Sequence, residues 1–123
     1  MDGRFPHQEL SAKVIGAFYE VYNTLGYGYL ESVYKRALAV ELSYLGLPIQ
    51  QEVGFEVSHR GVPVGTYRAD IIVSSSLIVE AKAGAHLDPN AAAQILNYLK
   101  TSRLRVGLVL HFGPKPVIKR VVL

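Results

Sequence analysis

The chain has 123 residues, half of them hydrophobic and 19% charged, with a formal net charge of +3. That length suits a single domain, residues 1–123, with a real core and no room for a second. Zero cysteines exclude disulfides, thiolate zinc sites and cysteine nucleophiles, and fit a reducing compartment. No apolar run approaches the roughly 20 residues of a membrane span. The segment Met1 to His7 lacks the apolar core of a signal peptide, so a cytoplasmic protein is expected.

The charge is unevenly spread. Residues 89–123 carry Lys100, Arg103, Arg105, Lys115, Lys119 and Arg120 and no acid, while residues 1–88 carry all ten acids. A basic final third is compatible with a phosphate-rich partner, and equally with simple solubility.

In chain order, Leu10, Val14, Ala17, Phe18, Val21, Tyr22 and Leu25 recur at helical steps and predict an amphipathic helix over His7–Leu25. Gly26 and Gly28 make a tight joint. A second helix is expected over Tyr29–Tyr44, with Leu30, Val33, Tyr34, Ala37, Leu38, Leu42 and Leu45 inward and Gly46 and Pro48 stopping it. Glu31 falls in its first turn, where a glutamate favours the helix N-terminus. That placement and a catalytic role are compatible.

Val53, Phe55 and Val57 alternate with polar neighbours and predict a half-buried strand near an edge. Ser58 to Gly61 is a turn, and Val62–Val73 returns as a strand. After the polar break Ser74-Ser75-Ser76, Leu77–Lys82 forms the next strand. Asp88-Pro89 reads as the cap and first position of a third helix, over Pro89–Ser102. Val106–Phe112 is of buried-strand type, and Val117–Val122 is a final strand suited to an edge. A strand–helix–strand unit after Lys82 favours an α/β (α+β mixed) fold: a mixed sheet flanked by helices.

The chain's organising stretch runs from Arg68-Ala69-Asp70 to Val79-Glu80-Ala81-Lys82. Folded back as a hairpin, it would bring Asp70 beside Glu80. Side chains alternate along a strand, so Glu80 and Lys82 share a face, with Cα atoms roughly 6–7 Å apart. A hard cation such as Mg²⁺ wants oxygen ligands, which the carboxylates of Asp70 and Glu80 and the carbonyl of Ala81 can supply. Lys82 would orient a water or offset charge on a phosphate. Spacing alone also suits a solvated ion pair, but the apolar runs on either side argue for covered strands, where charges rarely sit unpaired. Arg68, two residues before Asp70, is expected on its face, to pair with an acid or meet a phosphate. Gln94 lies in an alanine-rich helix, where it either bonds a neighbouring backbone or reaches the site. The four histidines show no zinc-ligand spacing, and neither a nucleophile elbow nor a P-loop is present.

Gly28-x-x-Glu31-x-x-Tyr34 resembles the signature of the GxxExxY protein family, which is similar to the PD-(D/E)XK nuclease superfamily and its RecB-like branch. Segments 26–34, 68–73, 79–83, 93–100 and 106–110 carry the resemblance, in order and at compatible spacing. It implies a restriction-endonuclease-like αβββαβ core. It implies a phosphodiester hydrolase, endo- or exonuclease, acting on nucleic acid with DNA favoured over RNA. It implies Mg²⁺ or Mn²⁺ on Asp70 and Glu80, Lys82 beside the attacking water, Glu31 as an auxiliary acid and Gln94 as the glutamine of the following helix. Ala69 stands where the superfamily's name has proline, and His111 stands where an asparagine is expected before Phe112.

With no room for a separate sequence-reading domain, such a nuclease is expected to read nucleic-acid shape or ends, or to depend on a homodimer mate or partner protein. Lys100, Arg103 and Arg105, with Arg68, are the candidate nucleic-acid contacts. The alternative is a non-catalytic nucleic-acid-binding module on the same fold, or a homo-oligomeric interaction protein. The latter would need an apolar surface, for which Phe5, Tyr27, Tyr29 and Tyr44 are candidates.

Overall fold

The structure, a computed structural model, describes residues 7–123. Two helices come first, α1 (Gln8–Leu25) and α2 (Glu31–Tyr44). Three strands follow, β1 (Ile49–His59), β2 (Val62–Val73) and β3 (Leu77–Ala83). Helix α3 (Ala91–Ser102) then leads to β4 (Val106–Phe112) and β5 (Pro116–Val122). The strands form one sheet in the order β1-β2-β3-β4-β5. Neighbours are antiparallel except β3 and β4, which run parallel because α3 carries the chain back between them.

Helices cover both faces. On one, Val14, Phe18 and Val21 of α1 and Tyr34, Leu38 and Leu42 of α2 pack on Ile71, Val73, Val79, Leu108, Leu110 and Phe112. On the other, Ala91, Ile95 and Leu99 of α3 pack on Ala69, Ile72, Ile78 and Val109. Residues 77–81 and 106–112 are therefore buried continuously, as expected of central strands covered twice. Gly107 lets α3 come close: a Cβ there would lie 2.6 Å from Cδ1 of Ile95. No helix among the described residues is long and apolar enough to cross a membrane.

Three expectations are corrected. Helix α2 begins at Glu31, and Leu30, expected inward, is 75% exposed. Leu45, also expected inward, lies largely exposed past the end of α2. Helix α3 begins at Ala91, not Pro89. Asp88 caps a turn ahead of that helix: its Oδ1 accepts from the Asn90 N–H at 2.9 Å and its carbonyl from the Ala91 N–H at 3.0 Å. An aspartate that satisfies the second backbone N–H after it makes a tight turn as readily as a helix cap.

The joint between α1 and α2 explains the Gly–Glu–Tyr spacing. Gly26 and Gly28 hold φ of 73° and 115°, a region side chains resist. Tyr34, fully buried, reaches back to that joint: its hydroxyl donates to the Gly26 carbonyl at 2.5 Å and accepts from the Tyr29 N–H at 3.2 Å. Its ring stacks on Phe112, with centroids 4.1 Å apart. The tyrosine thus pins the start of α2 to the joint and to β4, and so fixes where Glu31 and Lys35 project.

Candidate functional site

Strands β2 and β3 pair only at Ile71–Val79, Ile72–Ile78 and Val73–Leu77. One step further the ladder stops, at Asp70 and Glu80. On the other side, the β1–β2 ladder shifts register between Val57 and Ser58 and skips a pair opposite Asp70, where Glu52 sits at φ 52°. The alternation of β2 slips at the same point: Tyr67 and Ala69 pack with the α3 cluster, Ile71 and Val73 with the α1/α2 cluster. Asp70 fills the resulting gap. Its Oδ2 accepts the freed Ala81 N–H at 2.8 Å, a side-chain bond in place of a ladder bond.

The hairpin thus brings Asp70 beside Glu80. Both are buried, 7% and 6% exposed. Glu80 Oε1 has no hydrogen-bond partner. Burial first, then the charge of Asp70 and a hydrogen bond with it, push the Glu80 carboxyl up to about 9; Lys82 and Lys35 oppose the shift. At neutral pH the metal-free Glu80 keeps its proton. Lys82, half-buried, follows Glu80 at the spacing that keeps both on one face of β3, that of Ile78.

The cation on Asp70 is Lys35, whose Nζ lies 3.0 Å from Asp70 Oδ1, 3.7 Å from Glu31 and 3.9 Å from Glu52. Burial pulls its ammonium down, but the Asp70 hydrogen bond and charge, with Glu52 and Glu31, outweigh it and hold it above its ordinary value. Sequence reasoning missed both Lys35 and Glu52. A signal for Lys35 was present: it shares the helical stripe of Glu31, Tyr34, Leu38 and Leu42, a cation among buried positions. Glu52 gave none, since its contact depends on the break in the β1–β2 ladder.

The other candidates scatter. Glu31 is the first residue of α2 and joins the site through Lys35. Gln94 is exposed on α3, one turn before Tyr98, and makes no side-chain hydrogen bond. Arg68 is exposed on β2 and forms no ion pair with Asp70. Lys100 and Arg103 sit at the end of α3, and Arg105 precedes β4, roughly 13 Å along the strand from the Glu80 level. The basic residues around His111, the β4 partner of Lys82, are instead His86 and Lys115, with Lys119 lining the adjoining cavity. Tyr27, Tyr29 and Tyr44 are 48%, 53% and 83% exposed, and Phe5 lies outside the described residues.

Two hard carboxylates meeting in a gap, one with an unpartnered buried oxygen, fit a cation of the Mg²⁺ class, which takes one or two carboxylates and retains waters. Among the described residues no cluster of three or more His, Cys, Asp or Glu converges on a metal site. A softer metal wanting a full protein cage is therefore a poor match.

A five-stranded mixed sheet with helices on both faces, its central strands joined through a helix crossover, makes a nuclease-like fold. The profile of the PD-(D/E)XK nuclease superfamily matches residues 8–121, and the chain belongs to that superfamily. Its nucleases are generally dependent on a divalent metal. Among solved structures, the crystal structure of SSO0001 shares the fold, with a TM-score of 0.58 and 18% identity over 94% of this chain. This chain spans 58% of that protein's length. No protein of curated function matches the sequence.

Proposed function

We propose that the chain is a divalent-metal-dependent phosphodiester hydrolase acting on nucleic acid, DNA in preference to RNA, and that within the superfamily it belongs to the narrower GxxExxY group. The observation that carries this is the paired, buried Asp70 and Glu80 where β2 and β3 part, with Lys82 on the same face. Asp70, Glu80 and the Ala81 carbonyl would hold Mg²⁺ or Mn²⁺, which when bound lowers the pKa of a water and offsets charge on the pentavalent phosphorus. Asp70 is oriented for this by the Ala81 N–H. Glu80 gives up its proton to become a ligand, and Lys82 aligns the nucleophile and meets a non-bridging phosphate oxygen. Glu31 acts through Lys35 on the charge of Asp70. Gln94 would touch the substrate strand only when a bound nucleic acid reaches α3.

A second reading, a non-catalytic nucleic-acid-binding module, is favoured by one observation: Lys35 already neutralises Asp70, so the metal-free cluster is electrostatically complete. The exposed Tyr27, Tyr29 and Tyr44 leave a second copy or a partner protein as a proposed companion in either case.

The deciding experiment is a cleavage time course on single-stranded, duplex and branched DNA and on RNA, with Mg²⁺ or Mn²⁺, beside Lys82→Ala and an EDTA control. The expected result is cutting that EDTA abolishes and Lys82→Ala reduces by about 10²-fold or more. Wild-type protein that binds nucleic acid, never cuts it, and is indifferent to Lys82→Ala would establish the binding module instead.

A further inference from the structure

His111 lies one strand over from Lys82, its Cα partner in the parallel β3–β4 register. Gly107, Val109 and His111 alternate onto the α3 face, the face that also carries Glu80 and Lys82. The ring is 3% exposed; the Gly84 backbone carbonyl faces it and favours its proton, but neither nitrogen makes a hydrogen bond of good geometry. A core histidine normally has a partner on at least one nitrogen, because an unpaired buried polar group costs about 1–3 kcal/mol. Gly113 admits the ring: a Cβ there would lie 2.5 Å from its Cε1.

The ring borders a cavity of about 360 Å³ that His86, Leu87, Lys115 and Val117 also line. A second cavity, of about 400 Å³, adjoins it across Leu87 and Val117 and is lined by Lys119 and Asp88. Asp88 is the acid among these residues, and its Oδ1 is engaged by the Asn90 N–H. Both openings sit at the carboxyl ends of β3 and β4, where open α/β sheets take their ligands. The combined lining is one buried imidazole and three exposed basic or titratable side chains, a set that suits an oxyanion. It does not suit a metal, since only two histidines and no free carboxylate converge there.

We propose that the cavity at His111, His86 and Lys115 is a subsite for a phosphate group of the nucleic-acid strand, next along from the one that reacts at Asp70, Glu80 and Lys82. The subsite rests on the phosphodiesterase reading and deepens it. His111 donates an N–H from a fixed ring, and Lys115 and His86 close over the phosphate from the β4–β5 and β3–α3 loops. Strand position is then set by two phosphates, one at each of two neighbouring strand ends, with no reading of bases.

The test follows the histidine ring resonances of the full-length, metal-free protein by NMR. Inorganic phosphate is titrated first, then 5′-phosphorylated and 5′-hydroxyl single-stranded oligonucleotides. The His111 ring is expected to shift saturably with inorganic phosphate and with oligonucleotide, and Lys115→Ala is expected to weaken both about tenfold. A response limited to the 5′-phosphorylated strand assigns the subsite to strand ends, and an equal response to both assigns it to internal phosphates. His111→Asn tests the ring itself, and the exposed Lys115 keeps the test valid if that variant fails to fold. A His111 ring that never moves, a shift that ignores Lys115→Ala, or binding of free phosphate alone would each overturn the subsite. Cleavage with a silent His111 removes the subsite and keeps the nuclease; oligonucleotide binding at His111 without cleavage under any metal removes the nuclease and keeps the subsite.

Discussion

The β2–β3 hairpin is two structures along its length. Near Ser74–Ser76 it is a plain antiparallel ladder of Ile71, Ile72, Val73, Leu77, Ile78 and Val79, all at most 4% exposed. One residue beyond, the ladder opens, and the same two strands carry Asp70 and Glu80 at a similar depth. The closed end is held by apolar burial and backbone bonds that reinforce each other. The open end places two carboxyls in a low-dielectric gap, with Lys35 bonded to Asp70 and Lys82 opposing the rise at Glu80. The difference shows how a rigid ladder can support a destabilised pair one residue away: the ladder fixes the carboxylates' positions, so they cannot relax apart.

The largest expected effect tests the closed end. Ile78→Ala removes a fully buried side chain that packs under α3 with Ile72 and Ile95, and should lower unfolding free energy by about 2–5 kcal/mol in urea or thermal melts. A loss under about 1 kcal/mol would mean that the ladder is not the support described.

Glu80→Gln should act in the opposite direction. The folded Glu80 carboxyl, at about 9, keeps a proton that the unfolded chain, near the ordinary glutamate value of 4.5, releases. Its stability contribution is therefore fully present below about pH 4.5 and is lost as pH rises toward about 9. Metal-free wild type should lose up to about tenfold in its folding constant per pH unit across that window, and Glu80→Gln should not. The gap between their melting temperatures in EDTA should widen steadily from acid to alkaline pH. Parallel curves would mean that Glu80 ionises freely and that the gap at Asp70 is wet.

Much of this contrast was legible in the sequence. The runs Ile71–Val73 and Leu77–Val79 around a serine turn predicted the hairpin, and the acids at its end predicted their meeting. The 3.6-residue stripe placed α1 correctly, and the strand–helix–strand pattern gave the mixed sheet flanked by helices. The failures have physical causes. Asp88-Pro89 makes a turn as readily as a helix start, so α3 was placed early. Arg68 was expected to follow Asp70 in period two, but β2 slips at Asp70, and the slip depends on a partner strand whose residue, Glu52, is left-handed. Lys35 was not singled out, because its place on the α2 stripe does not say that α2 crosses above Asp70. The basic residues of the last third were read by number, whereas the fold sends Arg103 and Arg105 away from the open end and Lys115 toward it.

Lys35→Met sharpens the comparison from the electrostatic side. Without its ammonium, Asp70 is a buried carboxylate with one backbone donor and a neighbouring acid. Because Lys35 is partly exposed, the expected loss of metal-free stability is moderate, about 1–3 kcal/mol. The same variant removes a positive charge beside the proposed cation position, so Mn²⁺ should bind about tenfold more tightly and restore the melting temperature. Weaker Mn²⁺ binding in Lys35→Met would mean that the lysine organises the site for metal rather than standing in for it.

The smallest expected effect concerns Tyr34, which serves the open end without touching it. Tyr34→Phe keeps the ring on Phe112 and loses the bonds to Gly26 and Tyr29. Losing the hydroxyl should cost about 1 kcal/mol, with the Gly26 carbonyl left to find water at the exposed joint. Because the ring still fixes α2 on β4, Glu31 and Lys35 should stay in place, and Mn²⁺ affinity should change by less than about threefold. The pair of readouts matters more than either value. A stability loss without a change in metal binding makes Tyr34 a pin for the joint. A loss of metal binding at unchanged stability would place its hydroxyl in the chemistry, and the spacing from Gly28 through Glu31 to Tyr34 would then describe one site in place of a turn and a site.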